Sequence, residues 1–289
     1  MAVPPPFHTN EPDRIAQFPG NLAPLDSQPV ILYLGGMTKR IIIFLILYCT
    51  GAGTVYGQHP RDTMNHDHPA FSERVRERYS LVKNSIEEYP HMDVSDPDVL
   101  KAMRIVPRHA FVPRQFQDVA YRNHPLSIGY DQTISQPVIV AHMTQLLDVQ
   151  PDDRILEVGT GSGYQAAILG ELSAHVYSIE IVPELSVRAS RTLKELGYDH
   201  IKVKTGDGYL GWPEHAPFDK IIVTCSPKDV PEPLIEQLKP GGWIVIPVGK
   251  NSWNQQLIIM KKNKRGKLIR ESQYPVRFVP MTGKAQDKD

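Results

Sequence analysis

Arg154-Ile155-Leu156-Glu157-Val158-Gly159-Thr160-Gly161-Ser162-Gly163 carries the plainest architectural signal in the chain. A short apolar run stops at a turn built from three glycines, and the residues from Tyr164 to Leu172 then read as a helix. A strand that feeds a helix through such a turn is the opening unit of a parallel α/β sheet. Glycine lets backbone approach a ligand closely, and the first turn of a helix holds N–H groups without an intrahelical partner.

The alternation continues beyond it. Strands are predicted over 175–179, 201–205, 220–225 and 243–248, with helices over 183–196 and 231–238. The run Lys220 to Cys225 is nearly all apolar, as in a sheet covered on both faces. Pro240-Gly241-Gly242 is expected to stop the helix before it. The segments 256–261 and 268–273 suggest a terminal hairpin, turning near Asn263 to Gly266. Upstream, Phe71, Val75, Tyr79, Val82 and Ile86 mark one helix, and 97–104 a second. Pro137 to Leu147 forms a third, with Ser135 or Gln136 at its start. Residues 107–132 look irregular. The expected fold is α/β: a doubly wound, mostly parallel Rossmann-like sheet with N-terminal helices and C-terminal antiparallel strands.

The chain has 289 residues, with 32 Lys plus Arg against 32 Asp plus Glu, a formal charge of zero. That balance argues against bulk electrostatic binding of nucleic acid. The two cysteines, Cys49 and Cys225, cannot build a disulfide framework. The first 36 residues are proline-rich and read as disordered. Met37-Thr38-Lys39-Arg40, the apolar run 41–49 and small residues after it have the layout of a secretory signal, displaced from the chain start. Translation from Met37 would resolve that displacement. The run is too short for a confident membrane span, which takes roughly 20 residues. His59, His66, Asp67 and His68 could be read as metal ligands, but no framework fixes them and a polar linker is the favoured reading. No metal is expected. The division is therefore 1–70 as an extension and 71–289 as one domain with a short polar tail.

Candidate binding groups fall at three successive strand ends. The turn from Gly159 to Gly163, with Glu157 before it, follows the first strand. Glu180 ends the second, where a carboxylate can accept from ribose hydroxyls. Gly206-Asp207-Gly208 ends the third, where Asp207 could accept from an adenine amino group. Open α/β sheets bind ligands in this crevice. Spacing leaves the nucleotide open. Read from Gly159, the dinucleotide pattern meets Tyr164 where Gly or Ala is needed; read from Gly161, it reaches Ala166 and passes. A nicotinamide dinucleotide and an adenosyl cofactor both remain.

The run Arg154 to Gly163, with Glu180 and Asp207, resembles the core of S-adenosylmethionine-dependent methyltransferases. Further segments resemble the protein-L-isoaspartate O-methyltransferase family. These are 107–112, Tyr130 to Pro137 with its Thr-Ile-Ser-x-Pro run, 206–208, 237–242, Asn254-Gln255-Gln256-Leu257 and Val276 to Pro280. The likeness spans roughly Phe71 to Thr282. Thr224-Cys225-Ser226-Pro227 departs from the alanine-rich stretch usual there, and the first 70 residues have no usual counterpart.

The resemblance implies methyl transfer from S-adenosylmethionine to the α-carboxylate of L-isoaspartyl residues in damaged proteins and peptides, starting their repair or degradation. It implies Ser135 as the active-site serine, Thr133, Ile134 and Gln136 around the substrate entrance, and Val279 as a backbone partner of the peptide. It also implies a cytoplasmic location, against which the signal-like segment suggests export. A carboxylate with a pKa near 4 needs no base at neutral pH, so His109 is read as structural, and Trp243 as core. Three competing readings stand beside this one: a small-molecule O-methyltransferase on the same scaffold, a non-catalytic nucleotide-binding module, and a dinucleotide oxidoreductase.

Overall fold

The computed structural model describes residues 64, 66–251 and 253–285, without the side chains of 271–273. The disordered reading of the chain start, the signal-like run 41–49, Cys49 and His59 lie outside the described residues. The long apolar strands form one sheet of seven. They are β3 (Arg154–Val158), β4 (His175–Glu180), β5 (Lys202–Thr205), β6 (Phe218–Val223), β7 (Leu238–Val248), β8 (Gln255–Lys262) and β9 (Leu268–Val276), in the order β5-β4-β3-β6-β7-β8-β9. β5 through β7 run parallel, and β8 and β9 are antiparallel. The chain leaves β3 toward one edge, then returns to β6 on its other side. That reversal makes the crevice at the strand ends.

Successive residues of the central strands point to opposite faces, as the two-residue strand period requires. Ile155, Ile222 and Val245 enter one buried apolar cluster, and Leu156, Ile221 and Ile244 enter the other. α3 (Pro137–Leu147), α4 (Tyr164–Gly170) and α5 (Pro183–Glu195) alternate with or precede these strands as expected. α1 (Val75–Val82) and α2 (Pro97–Ile105) precede them, and α6 (Glu232–Gln237) leads into β7.

Three local expectations need correction. The first helix does not start at Phe71, because Arg74 is left-handed (φ 51°); it begins at Val75 and continues as a π-helical turn, Lys83–Glu87. Its stripe is also only partly inward: Tyr79 is exposed beneath the Arg104 guanidinium. Residues 107–132 are not wholly irregular. β1 (Leu126–Gly129) pairs antiparallel with β2 (Gln132–Ile134) through Tyr130 and Asp131, both at positive φ. This hairpin lacks the Asn-Gly signal that normally announces such a turn. Finally, Pro240-Gly241-Gly242 follows the helix end rather than causing it. It forms a bulge inside β7, where Phe218 pairs with Leu238 but Lys220 with Trp243. A Cβ on Gly242 would lie 2.7 Å from the Asp219 carbonyl oxygen.

Candidate active site

The glycine turn is tight and pinned from two sides. Gly159, Gly161 and Gly163 have φ of 100°, 54° and 90°, which favours glycine at each. The Thr224 hydroxyl, just beyond β6, donates to the Gly159 carbonyl at 2.7 Å. A Cβ on Gly159 would sit 2.5 Å from that same hydroxyl oxygen. From β4, the buried Glu180 carboxylate accepts from the Gly161 N–H at 2.7 Å and the Val182 N–H at 2.9 Å. Two strand ends are thus tied to one turn.

Above the turn lies a cleft. Of the expected cofactor residues, Gly159, Thr160, Gly161, Ser162, Glu180 and Gly208 line it. Thr133, Ile134, Ser135 and Val279 line it from the other side. Three expected residues do not reach the wall. Gly163 packs on Ala189 and Leu193 of α5. Glu157 is fully buried on the Ile155 face of the sheet. Asp207 is off the wall, and each of its carboxylate oxygens accepts one backbone bond, from the Tyr209 N–H at 2.9 Å and the Lys284 N–H at 2.9 Å, which leaves acceptor capacity on both. Sequence reasoning passed over Gln132, Tyr164, Gln165, Thr224, Cys225 and the Pro280–Thr282 stretch, all on the wall. Thr224 and Cys225 follow β6, the strand beside β3 at the switch point, so topology could have found them.

A second groove opens beside the cleft. Gln136 lines this groove, whereas Ile134 faces only the cleft. Thr133, Ser135, Thr224, Val279 and Pro280 line both spaces, so the two meet there. Ser135 has no capping duty: the N-cap of α3 is Gln136, and no side chain caps it. The Ser135 carbonyl accepts from Arg108 at 2.9 Å. Arg108 is itself fully buried, donates to the Ala120 carbonyl at 2.9 Å, and lies over the Tyr164 ring. Burial pulls its pKa down to about 10, so it stays charged at neutral pH.

The Val276 to Pro280 segment is held as a strap between the two spaces. The buried Gln255 amide accepts from the Phe278 N–H at 2.6 Å and donates to the Phe278 carbonyl at 3.1 Å. The Ser226 N–H donates to the Val279 carbonyl at 2.8 Å, and the Ser226 carbonyl accepts from Met281 at 2.9 Å. The Asn254-Gln255-Gln256-Leu257 motif therefore sets the groove wall through one side-chain amide.

Of the remaining candidates, His66, His68, His109 and Trp243 lie off the walls of both spaces. His66 pairs with the buried Glu171 at 2.8 Å, and His68 accepts from the Ala70 N–H at 3.2 Å. His109 contacts the Tyr121 hydroxyl at 2.7 Å, away from the cleft walls. Trp243 is half-buried and lies between the Lys220 and Lys261 ammonium groups, not in the cleft. Burial pushes the Cys225 thiol up to about 12, so this cleft residue is no thiolate nucleophile at neutral pH.

Glu157 carries a pH signature. Burial, reinforced by Glu180, pushes its carboxyl from 4.5 up to about 8, while the Ser178 hydroxyl bond opposes that rise. The folded chain then keeps a proton that the unfolded chain releases between those values. Folded stability should fall as pH rises through that window and level off above it. Glu157→Gln should remove this slope, so its Tm should gain on the wild type from about pH 5 to about pH 8. Parallel Tm profiles for the two proteins would refute the assignment.

Residues 80–286 match the family model described as protein-L-isoaspartate(D-aspartate) O-methyltransferase. A protein-L-isoaspartate O-methyltransferase of Opitutus terrae is 52% identical over 209 residues, 72% of this chain and 88% of that protein. That of Gloeobacter violaceus is 52% identical over 184 residues, 64% of this chain and 89% of the relative. A Plasmodium falciparum protein-L-isoaspartate O-methyltransferase, solved with S-adenosyl-L-homocysteine, superposes with a TM-score of 0.62 at 26% identity, covering 71% of this chain and 98% of that one. Glycine turn, bridged Glu180, twin spaces meeting at Ser135 and these likenesses agree: the chain belongs to the protein-L-isoaspartate O-methyltransferase family.

Proposed function

We propose that the cleft holds S-adenosylmethionine and the adjoining groove holds an isoaspartyl peptide, with Ser135 orienting the peptide's α-carboxylate where the two meet. The chain is an S-adenosylmethionine-dependent methyltransferase of isoaspartyl residues, as its family is. The meeting of cleft and groove at Thr133, Ser135, Thr224, Val279 and Pro280 is the observation that carries the assignment of roles.

The residues present suit the cofactor. Gly159 and Gly208 on the cleft wall pack so closely that a Cβ would lie 2.5 Å from the Thr224 hydroxyl oxygen and 2.3 Å from a Val158 methyl, so glycine at each keeps the wall in place. Glu180 keeps acceptor capacity beyond its two backbone bonds, fit for ribose hydroxyls. S-adenosylmethionine supplies an electrophilic methyl on a cationic sulfur that leaves neutral. This chain's own part is alignment. Its Ser135 hydroxyl donates to one carboxylate oxygen and leaves the other free to attack. The Val279 carbonyl is already bonded to Ser226, so the strap offers its N–H to the peptide. Such orientation removes several kcal/mol of barrier without proton transfer.

A pair of peptides, one isoaspartyl and one aspartyl, tests this. Isoaspartate differs by moving one methylene from side chain to main chain. A misplaced methylene costs a shaped site about 10- to 200-fold, so methyl ester should form on the isoaspartyl peptide by at least that margin. Equal methylation of both, or of neither, would sink the reading. Damaged proteins and peptides are the partners in this reading, with no nucleic acid among them. Among the described residues no helix is long and apolar enough to cross a membrane. The reading carries a cytoplasmic location with it; export requires residues 37–57 to act as a signal, and N-terminal sequencing of the mature protein separates the two.

A further inference from the structure

We infer that Arg277, stacked on Trp253 at the groove wall, selects isoaspartyl peptides that carry an acidic side chain beside the damaged residue. The inference rests on the groove being the peptide site. Its walls are otherwise uncharged, with Tyr89, Met92, Ile139 and Phe278 giving much of their apolar surface. Arg277 is the one charged side chain among the described residues that line it. Its guanidinium lies 4.2 Å from the centre of the Trp253 ring. Trp253 is 78% exposed, so this ring is not core. Among the described residues no carboxylate lies within 4.0 Å of Arg277.

The ring contact holds the guanidinium at the groove wall, and its fork of N–H donors fits a carboxylate. The backbone is fixed as well. The residue that follows, Phe278, has both main-chain groups bonded to the Gln255 amide, at 2.6 and 3.1 Å. A peptide lying along the strap therefore passes a cation whose position is preset. A flanking Asp or Glu gains an ion pair there, and a flanking Lys meets repulsion. The Trp253 face offers flat contact to whatever residue crosses it.

Three isoaspartyl peptides, identical except for Glu, Ala or Lys beside the isoaspartate, test the inference through kcat/KM. An exposed ion pair and the matching repulsion together should favour Glu over Lys by about five- to tenfold at low salt. The ratio should shrink toward one in 0.5 M salt, where the screening length falls to roughly 4 Å. Arg277→Gln should abolish the ratio, and Arg277→Lys should keep part of it. A wild-type ratio near one overturns the inference while leaving methyl transfer standing. A ratio that survives Arg277→Gln, or one indifferent to salt, overturns it as well. Failure to methylate any of the three peptides sinks both this inference and the reading beneath it.

Discussion

Replacing Ser135 with alanine should cut kcat for an isoaspartyl peptide by about 10- to 100-fold, because a hydrogen bond to a charged group contributes about 1.5–3 kcal/mol. Affinity for S-adenosylmethionine should stay within about twofold. The split follows from position. Ser135 lines both spaces, but its hydroxyl is not spent on capping α3. Its backbone is anchored by Arg108, so truncation at Cβ leaves the chain path intact. Single-turnover kinetics and calorimetry measure the two quantities separately. Unchanged turnover would remove Ser135 from the chemistry, and a parallel loss of cofactor affinity would make it a wall residue instead. Ser135→Thr retains the hydroxyl and should recover part of the rate.

Gly159→Ala should have the larger effect on the fold. A Cβ there meets the Thr224 hydroxyl at 2.5 Å, and φ of 100° disfavours any L side chain. Left-handed strain plus overpacking should cost about 2–4 kcal/mol. For a domain of this size that lowers Tm by about 5–15 °C. Cofactor affinity should fall more than about tenfold if the turn is displaced, since the wall of the cleft would move with it. The double variant Gly159→Ala, Thr224→Ala relieves the contact but not the dihedral. It should recover about half of the lost stability. A single variant with wild-type Tm and affinity would show that the turn tolerates a side chain.

The parts of this architecture legible in the sequence are those whose signals are local. β3 was readable to the residue because a short apolar run stops at glycine, and α3 because Pro137 marks its first turn. The parts that were not legible depend on partners far along the chain. The β7 bulge exists because Asp219 of β6 faces Pro240-Gly241-Gly242, and nothing in the latter's composition distinguishes a bulge from a helix stop. Gln255 holds a strap that starts more than twenty residues later, and Thr224 holds the turn from 65 residues away. Two acids expected at the cofactor do not line the cleft. Glu157 shares the face of Ile155, which strand alternation could have shown. Asp207 bonds to the backbone of Lys284, which no local pattern contains.

Arg108 has a consequence for how an anion is drawn to this site. Its charge is out of reach of solvent, and its contacts are the Ala120 and Ser135 carbonyls and the Tyr164 ring. Among the described residues no carboxylate lies within 4.0 Å of it. A cation so enclosed keeps a positive potential that counter-ions in solution barely attenuate. That potential extends through Ser135, the place assigned to a substrate carboxylate. The field can draw the acceptor inward without touching it, so the attacking oxygen keeps its lone pairs. Raising ionic strength should therefore erode selection at Arg277 long before it erodes attraction at the reacting centre.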